Sequence, residues 1–394
     1  MTKAQKIIET LQANGFKAYI VGGVVRDRLL DKSLGDIDIA TSAHPEDVMR
    51  IFPKTIPIGL SHGTVIVRED GESFEVTTFR AEGEYEDYRR PSDVEFHDSI
   101  EEDLARRDFT INAMALKQDG TIIDPYGGKQ DLLDGIIRAV GDPFERFQED
   151  PLRMMRGIRF HSLLGFTLHE DTLAALIDRA HLLEKISVER IREEFEKLLA
   201  GAHAEVALKL LIDSGMSKHL PHGPYSLDKK EYDFDWKILY DDVQRWSGFL
   251  LRIKVADPYD WLKAWRLPNQ KRARVDSIIR LVRSDIDFQS PVNLYMHGLE
   301  SLEAVHKVKA YLGEKPHVTI EEMRESFTRL PIQERSELGI DGNDLKEICN
   351  RKPGPWIASL LEQIEQRVLE GSIKNDPSEI KEWITKCHQL PEND

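Results

Sequence analysis

Two aspartates one residue apart, Asp36 and Asp38, lie nine residues after the run Gly22-Gly23-Val24-Val25-Arg26-Asp27. The glycine pair ends a short apolar run, Ala18 to Val21, that reads as a strand. The amphipathic segment Arg26 to Leu30 reads as the start of a helix. Glycines let a backbone come close to a ligand, and a helix N-terminus offers free N–H groups to phosphate. Asp36 to Ala40 reads as a second strand. Strand side chains alternate, so Asp36 and Asp38 are expected on one face. Two carboxylates beside a phosphate cradle suit a pair of Mg²⁺ ions. Each feature alone is common on ordinary surfaces. In this order and spacing they favour a nucleotidyl-transfer site.

Two further stretches carry dense chemistry. Arg106-Arg107-Asp108-Phe109-Thr110-Ile111-Asn112-Ala113-Met114-Ala115 passes from charge into an apolar segment. It reads as an arginine fork on a triphosphate or ribose, or as a helix C-terminus where the dipole favours cations. Glu149-Asp150-Pro151-Leu152-Arg153 continues into Arg156 and Arg159. Residues on a regular helix turn about 100° each, so Arg159 falls roughly opposite Asp150. Asp150, Arg153, Arg156 and Arg159 line one pocket only if the helix crosses its floor or distorts. The alternative is a surface ion pair of small energetic value.

The elements that must position these residues follow from pattern. Lys3 to Ala13 reads as a helix with Ile7, Ile8 and Leu11 buried and Gly15 beyond its end. Glu46 to Phe52 reads as a helix closed by Pro53. Gly63 to Arg68 and Ser73 to Phe79, joined at Asp70-Gly71, read as a hairpin. Glu82 to Asp98, with Tyr85, Tyr88 and Arg89-Arg90-Pro91, has no periodicity. It reads as a mobile loop with a job or as a disordered insertion. Asp124 to Gly128 is a tight turn into a helix. From Asp142 onward strand signals almost vanish and helices separated by Gly, Pro and Asn remain. Ser187 to Leu199 is a capped amphipathic helix with Ile191, Phe195, Leu198 and Leu199 buried, an architectural element. The basic cluster Lys271-Arg272-Ala273-Arg274 reads as a solvated helix face in preference to an RNA contact. Gly339 to Leu345, followed by Lys352-Pro353-Gly354-Pro355-Trp356, reads as a helix–loop–helix with a rigid turn.

At 394 residues the chain is expected to form two or more domains. Its 40% hydrophobic and 31% charged content describes a globular protein without a bilayer-spanning run. The N-terminus lacks a signal-peptide core. Cys349 and Cys387 are too few and too far apart for a zinc site or a disulfide framework, so a reducing cytoplasm is the expected location. A net charge of −16 argues against a protein that coats nucleic acid non-specifically, though a local basic surface would still bind RNA.

These motifs together resemble the class II bacterial CCA-adding enzymes, tRNA nucleotidyltransferases of the polymerase-β-like superfamily. The resemblance rests on Gly22 to Asp27 with Asp36 and Asp38, Arg106 to Ala115, the Asp124 turn, Glu149 to Arg153 and the Arg190 to Leu199 helix. It implies an α+β chain: a mixed α/β catalytic head at 1–142, then a helical neck at 143–203, body at 204–298 and tail at 299–394. Asp36 and Asp38 would hold Mg²⁺, activating the tRNA 3′-hydroxyl and steadying the leaving pyrophosphate. Gly23 and Arg26 would contact the triphosphate and Arg107 the ribose or phosphates. Asp150 and Arg153 would choose the base, with Arg156 and Arg159 supporting the nucleotide. The tail would grip tRNA by shape and phosphate contacts. Glu75 is a candidate third carboxylate.

The implied base choice has a physical basis. Cytosine and adenine both place an exocyclic amine donor beside an unprotonated ring nitrogen. A carboxylate accepts from the amine while a guanidinium donates to the nitrogen. Guanine and uracil present the reverse order, and each mispaired buried group costs roughly 1–3 kcal/mol. One Asp/Arg pair thus admits CTP and ATP without a template.

Rival relatives are poly(A) polymerases and CC-adding or A-adding enzymes. The run Pro57 to Val65 resembles the CCA-adding type, and Glu82 to Pro91 resembles the intact loop that CC-adding relatives lack, with Arg90 helping a switch from CTP to ATP. A non-catalytic binding module is disfavoured because both aspartates are present. A phosphohydrolase reading of His97-Asp98 lacks the other ligands, and His62 and His161 read as structural or surface histidines.

Overall fold

The computed structural model describes residues 2–82, 94–227 and 236–387. The chain divides into two units: Met1–Trp236 with Asp260–Leu267, and Lys237–Tyr259 with Pro268–Asp394. The heart of the expected loop, including Tyr85, Tyr88 and Arg90, lies outside the described residues.

The first unit opens with α1 (Thr2–Ala13), whose Ile7, Ile8 and Leu11 are fully buried as the spacing predicts. Then come β1 (Ala18–Val21), α2 (Gly23–Leu29), β2 (Asp38–Thr41) and α3 (Pro45–Ile51). β3 (Thr55–Gly59), β4 (Thr64–Glu69) and β5 (Glu72–Thr78) follow. The β4–β5 hairpin turns at Asp70 and Gly71, both at positive φ (48° and 82°), the backbone of a primed two-residue turn. A two-stranded pair, β6 (Arg80–Glu82) and β7 (Val94–Phe96), precedes α4 (Ile100–Ala105). β8 (Ala115–Leu116) and β9 (Ile122–Ile123) complete a seven-stranded mixed sheet in the order β3-β4-β5-β2-β1-β8-β9. Within this sheet, among the described residues, only β2 and β5 pair in parallel. Val21, Ala40, Phe79, Leu104 and Ala113 share one buried cluster beneath it.

Strand β2 is shorter than expected. Pairing with β1 runs from Ala18↔Thr41 to Val21↔Asp38 and stops there. The residue after β1, Gly22, turns away at φ +76°, so Ile37 and Asp36 have no partner on the β1 side, and pairing with β5 also begins only at Asp38↔Glu75. Asp36 therefore sits in the segment leading into β2, and strand alternation does not orient it.

After α5 (Gly128–Asp134), whose first N–H groups donate to the Asp124 carboxylate, the unit becomes helical. A two-residue parallel bridge joins β10 (Ile136–Ile137) to β11 (Thr167–Leu168). The helices are α6 (Pro143–Glu149), α7 (Leu152–Leu164), α8 (Glu170–Arg179), α9 (Val188–Leu199) and α10 (Ala204–Asp213). The expected continuous helix through Asp150 is broken. Asp150 is extended (φ −134°, ψ 96°), because the residue before a proline is driven out of the helical region.

The second unit contains α11 (Asp242–Arg252), and α12 (Pro258–Ala264) carries the boundary between units. Then come α13 (Asn269–Arg283), α14 (Pro291–His297), α15 (Leu299–Tyr311), α16 (Ile320–Thr328), α17 (Gly342–Cys349), α18 (Trp356–Leu369) and α19 (Pro377–Cys387). Asp341 caps α17 through a reciprocal box with Asp344, and the Trp356 indole N–H donates to the Lys352 carbonyl at 2.8 Å, fixing the predicted turn. Ile340, Leu345, Leu360, Ile364 and Ile380 form the core there. The basic cluster on α13 is not a uniformly solvated face. Arg272 is buried against the Tyr259 ring (4.5 Å), while Lys271 pairs with Asp242. Cys349 and Cys387 are both free thiols.

Candidate active site

A cavity of about 1250 Å³ in the first unit collects the residues singled out by the sequence. Asp36, Asp38, Gly23, Arg26, Arg107, Asp150, Arg153, Arg156 and Arg159 all line it. The volume exceeds the range of roughly 300–1,000 Å³ usual for one small ligand.

The carboxylate end lies on the sheet. Asp38 heads β2 and stands in register with Glu75 on the parallel neighbour β5, so both side chains project from the same face. Burial pushes the Asp38 carboxyl up to about 6; Glu75 and Asp36 add to the rise, and Arg107 opposes it. Among the described residues no three His, Cys, Asp or Glu side chains are gathered around one point as a ready metal cage. The donors are instead all-oxygen and crowded with negative charge. That set fits a hard divalent cation whose remaining ligands are phosphate oxygens and water, since Mg²⁺ is usually held by one or two carboxylates plus substrate phosphates.

Gly22 explains how the cationic side comes so near. A Cβ there would stand 3.2 Å from Arg107 Nη1 and 3.6 Å from Asp38 Oδ2, at a φ that L residues rarely adopt. Arg107 follows the end of α4 and donates to Asp103 Oδ2 at 3.0 Å. Arg106 donates to the other oxygen of the same carboxylate. Burial would raise the Asp103 pKa, but the two guanidinium charges and their hydrogen bonds more than reverse this and lower it. The stretch follows a helix C-terminus, and it brings Arg106 and Arg107 to the cavity wall.

Arg26 is buried, donating twice to Asp27 and, through Nη1, to Asn112 Oδ1 at 2.7 Å. Asn112 in turn donates to Asp108, which accepts from Arg156 Nε at 2.7 Å and from the Phe109 N–H at 2.8 Å. Burial alone would raise the Asp108 carboxyl. The Arg156 charge and these hydrogen bonds outweigh it and hold the group at about 2. Arg159 pairs with Glu194 of α9 at 3.1 Å. The guanidiniums of Arg26, Arg156 and Arg159 lie 5.3, 5.9 and 4.3 Å from the centre of the Phe160 ring, which offers its negative face to all three.

The break at Asp150 resolves the geometric difficulty of a regular helix. Asp150 reaches the cavity from the junction between α6 and α7, and the three arginines follow at three-residue spacing along α7. Asp150 and Arg153 do not bond to each other. Arg153 donates to Glu149 Oε2 at 2.8 Å and to the main-chain carbonyls of Arg146 and Arg106. Asp150 accepts the Leu152 N–H at Oδ1 and Arg190 Nη2 at Oδ2, each at 3.1 Å.

Arg190 and Lys197 of α9 also line the cavity, so this helix is more than architectural. Glu75, a candidate from the sequence, also lines the cavity, and so do Asp103, Asp108 and Asn112, which lie in or beside the Arg106–Arg107 stretch. The signal for the last three was proximity to these arginines, whereas a cavity-facing arginine on α9 reads in sequence like a solvent-facing one. His97 pairs with the exposed glutamates Glu95 and Glu102, and His161 bonds to the Phe166 carbonyl, both structural roles.

Comparison with known proteins supplies the remaining findings. Residues 18–138 match the family described as Poly A polymerase head domain, and 165–225 the probable RNA and SrmB-binding site of polymerase A. Residues 239–384 match tRNA nucleotidyltransferase domain 2. CCA-adding enzymes of Bacillus cereus and Bacillus cytotoxicus are 44% and 45% identical, each match covering 98% of this chain and 99% of the relative. The crystal structure of the Bacillus stearothermophilus CCA-adding enzyme in complex with CTP is 40% identical, with a TM-score of 0.91 over 98% of this chain and 97% of that one. The Thermotoga maritima CCA-adding enzyme complexed with tRNA shares the fold at 21% identity and a TM-score of 0.64, covering 97% and 94% of the two chains.

Proposed function

The chain belongs to the family of CCA-adding enzymes, and we propose how its own residues divide the labour of that reaction. It is a nucleotidyltransferase that adds C, C and A to the 3′ end of tRNA from CTP and ATP without a nucleic-acid template, using a divalent metal ion. In each cycle the terminal 3′-oxygen of the tRNA attacks the α-phosphorus. The bond from that phosphorus to the bridging oxygen breaks and pyrophosphate leaves with its electron pair. The hydroxyl proton passes to solvent.

Asp36 and Asp38 would hold the metal, with Glu75 beside them, and the all-oxygen donor set suits Mg²⁺. An ion held there would supply Lewis-acid stabilisation to the reacting phosphate. Gly23 and Arg26 receive the triphosphate and Arg107 the ribose or phosphates. Asp150 accepts from the exocyclic amine of cytosine or adenine, and Arg153 donates to the adjacent ring nitrogen. Arg156 and Arg159 support the nucleotide from α7. The cavity volume, larger than one small ligand needs, leaves room for the end of the tRNA beside the nucleotide.

The head occupies 1–142, with the neck at 143–203, the body at 204–298 and the tRNA-gripping tail at 299–394. Confinement of the seven-stranded sheet to the first of these supports the division. Among the described residues no helix is long and apolar enough to cross a membrane. We propose a cytoplasmic location, which a tRNA-processing role supports.

The observation that carries the reading is the convergence of the carboxylates, the arginine cluster and Asp150 on one cavity. End-labelling tests it. Protein and Mg²⁺ are given tRNAs ending before CCA, after CC, or complete, with each labelled nucleotide in turn. Three additions, C, C then A, are expected, abolished by Asp38→Ala. C alone, A alone or a long A tract would overturn the assignment.

A further inference from the structure

Asp150 can read a base only if its carboxylate plane is fixed. Its own position does not fix it: the residue is extended, between two helices, with no helical neighbours to restrict its rotamer. The carboxylate is half-buried and carries two anchors. Oδ1 accepts the Leu152 N–H at 3.1 Å, a local contact two residues on. Oδ2 accepts Arg190 Nη2 at 3.1 Å, forty residues away and on a different helix. One anchor leaves rotation about it free, and two at opposite oxygens define the plane. Arg190 lines the same cavity on α9, whose buried stripe of Ile191, Phe195, Leu198 and Leu199 packs the helix against the unit. Its guanidinium therefore starts from a rigid base. Each carboxylate oxygen has two lone pairs, so Oδ2 can accept from Arg190 and still accept a donor from the cavity.

We propose that Arg190 is a positioning residue for base choice, holding the Asp150 carboxylate in the plane that meets the exocyclic amine of cytosine or adenine. This rests on the base-reading role of Asp150 stated above. It distinguishes Arg190 from Arg153, which is tied to Glu149 and to main-chain carbonyls and makes no bond to Asp150. Arg190 acts on the carboxylate that accepts, and Arg153 is the group that donates. Without Arg190, Asp150 keeps its Leu152 anchor but swings. The site then binds C and A less well and penalises U and G less.

The test measures kcat/KM for CTP against UTP on tRNA lacking CCA, and ATP against GTP on tRNA ending in CC. Discrimination is a ratio within one preparation, so a partly unfolded variant does not alter it. Arg190→Gln is expected to reduce both ratios by roughly ten- to a hundredfold, the worth of one hydrogen bond to a charged group. Arg190→Lys should recover part of the loss, because it restores the charge without the planar fork. Asp150→Ala should cut discrimination to what Arg153 alone supplies, and adding Arg190→Gln to it should change nothing more. Arg192→Gln removes another arginine of α9, one that donates to the Arg266 carbonyl, and should leave the ratios intact. Loss with Asp150→Ala but not with Arg190→Gln would overturn this inference and leave the base-reading role standing. Intact ratios in Asp150→Ala would overturn both. An equal loss in Arg192→Gln would show a general disturbance of α9 and overturn the inference.

Discussion

Replacing Asp108 with asparagine removes one charge from the centre of the arginine cluster while keeping the shape of the side chain. Asp108 is 8% exposed and accepts from Arg156, Asn112 and the Phe109 N–H. Its carboxyl moves from 3.8 to about 2 on folding, because the Arg156 charge and the hydrogen bonds outweigh the burial penalty. Such a depression contributes about 2 kcal/mol to stability at neutral pH. The folded state holds this acid's proton less tightly than the unfolded state. The contribution is therefore complete above the ordinary value near 4 and is lost as pH falls toward 2, with about half gone by pH 3. Asp108→Asn should destabilise the first unit by about 2 kcal/mol at pH 7, or roughly 4–8 °C in Tm for a unit of its size. Urea unfolding at pH 7 and pH 3, with hydrogen exchange followed on α7, measures both values. The variant should also raise KM for CTP, since Arg156 and, through Asn112, Arg26 lose their support. A difference below about 0.5 kcal/mol at pH 7, within ordinary surface-substitution scatter, or a gap unchanged at pH 3, would refute the electrostatic argument.

Four other outcomes are expected. With Asp38 at about 6, protons and divalent metal compete for the same carboxylate, so incorporation at limiting metal should fall below that pH. Raising the metal concentration should move the acid midpoint downward, and a midpoint indifferent to metal would refute competition at this group. Gly128→Ala should cost about 1–3 kcal/mol of stability in a thermal melt, because its Cβ would lie 2.2 Å from the Thr110 carbonyl oxygen. Gly35→Ala, with open space around it and no positive φ, should stay within about 0.5 kcal/mol of the parent. In the second unit Glu365 accepts from Arg335 at 2.6 and 2.8 Å and from the Tyr295 hydroxyl at 2.7 Å. Glu365→Ala should lower the stability of that unit by about 1–3 kcal/mol, read as faster hydrogen exchange in α18.

Local pattern foretold what local forces decide. β1 was legible residue for residue because an apolar run met a glycine pair, and α1 because its stripe has a clear helical period. β2 was overextended at its start because the turn at Gly22, a fact about β1, takes away one of its two neighbours before Asp38. The break at Asp150 was written in Pro151, but the helical period of the flanking residues masked it. The site divides the same way. Asp36, Asp38 and the α7 arginines were visible as dense motifs. Arg190 and Lys197 were not, because polarity marks the face opposite the core and does not say whether that face meets water or a cavity. Glu75 was only a loose candidate until the parallel register set it beside Asp38.

The anchoring of Arg153 has a consequence for how the sequence can drift. Two of its acceptors are the main-chain carbonyls of Arg106 and Arg146, and Arg146 donates to a third, that of Arg107. A carbonyl is present whatever side chain its residue carries. Substitutions at positions 106 and 146 that keep the backbone path therefore preserve these acceptors for Arg153. With the base-reading role proposed for Arg153, part of the molecule's memory of which nucleotides to accept is stored in chain trajectory, where point mutations rarely reach. Insertions, deletions and prolines near these residues are the changes that would erase it.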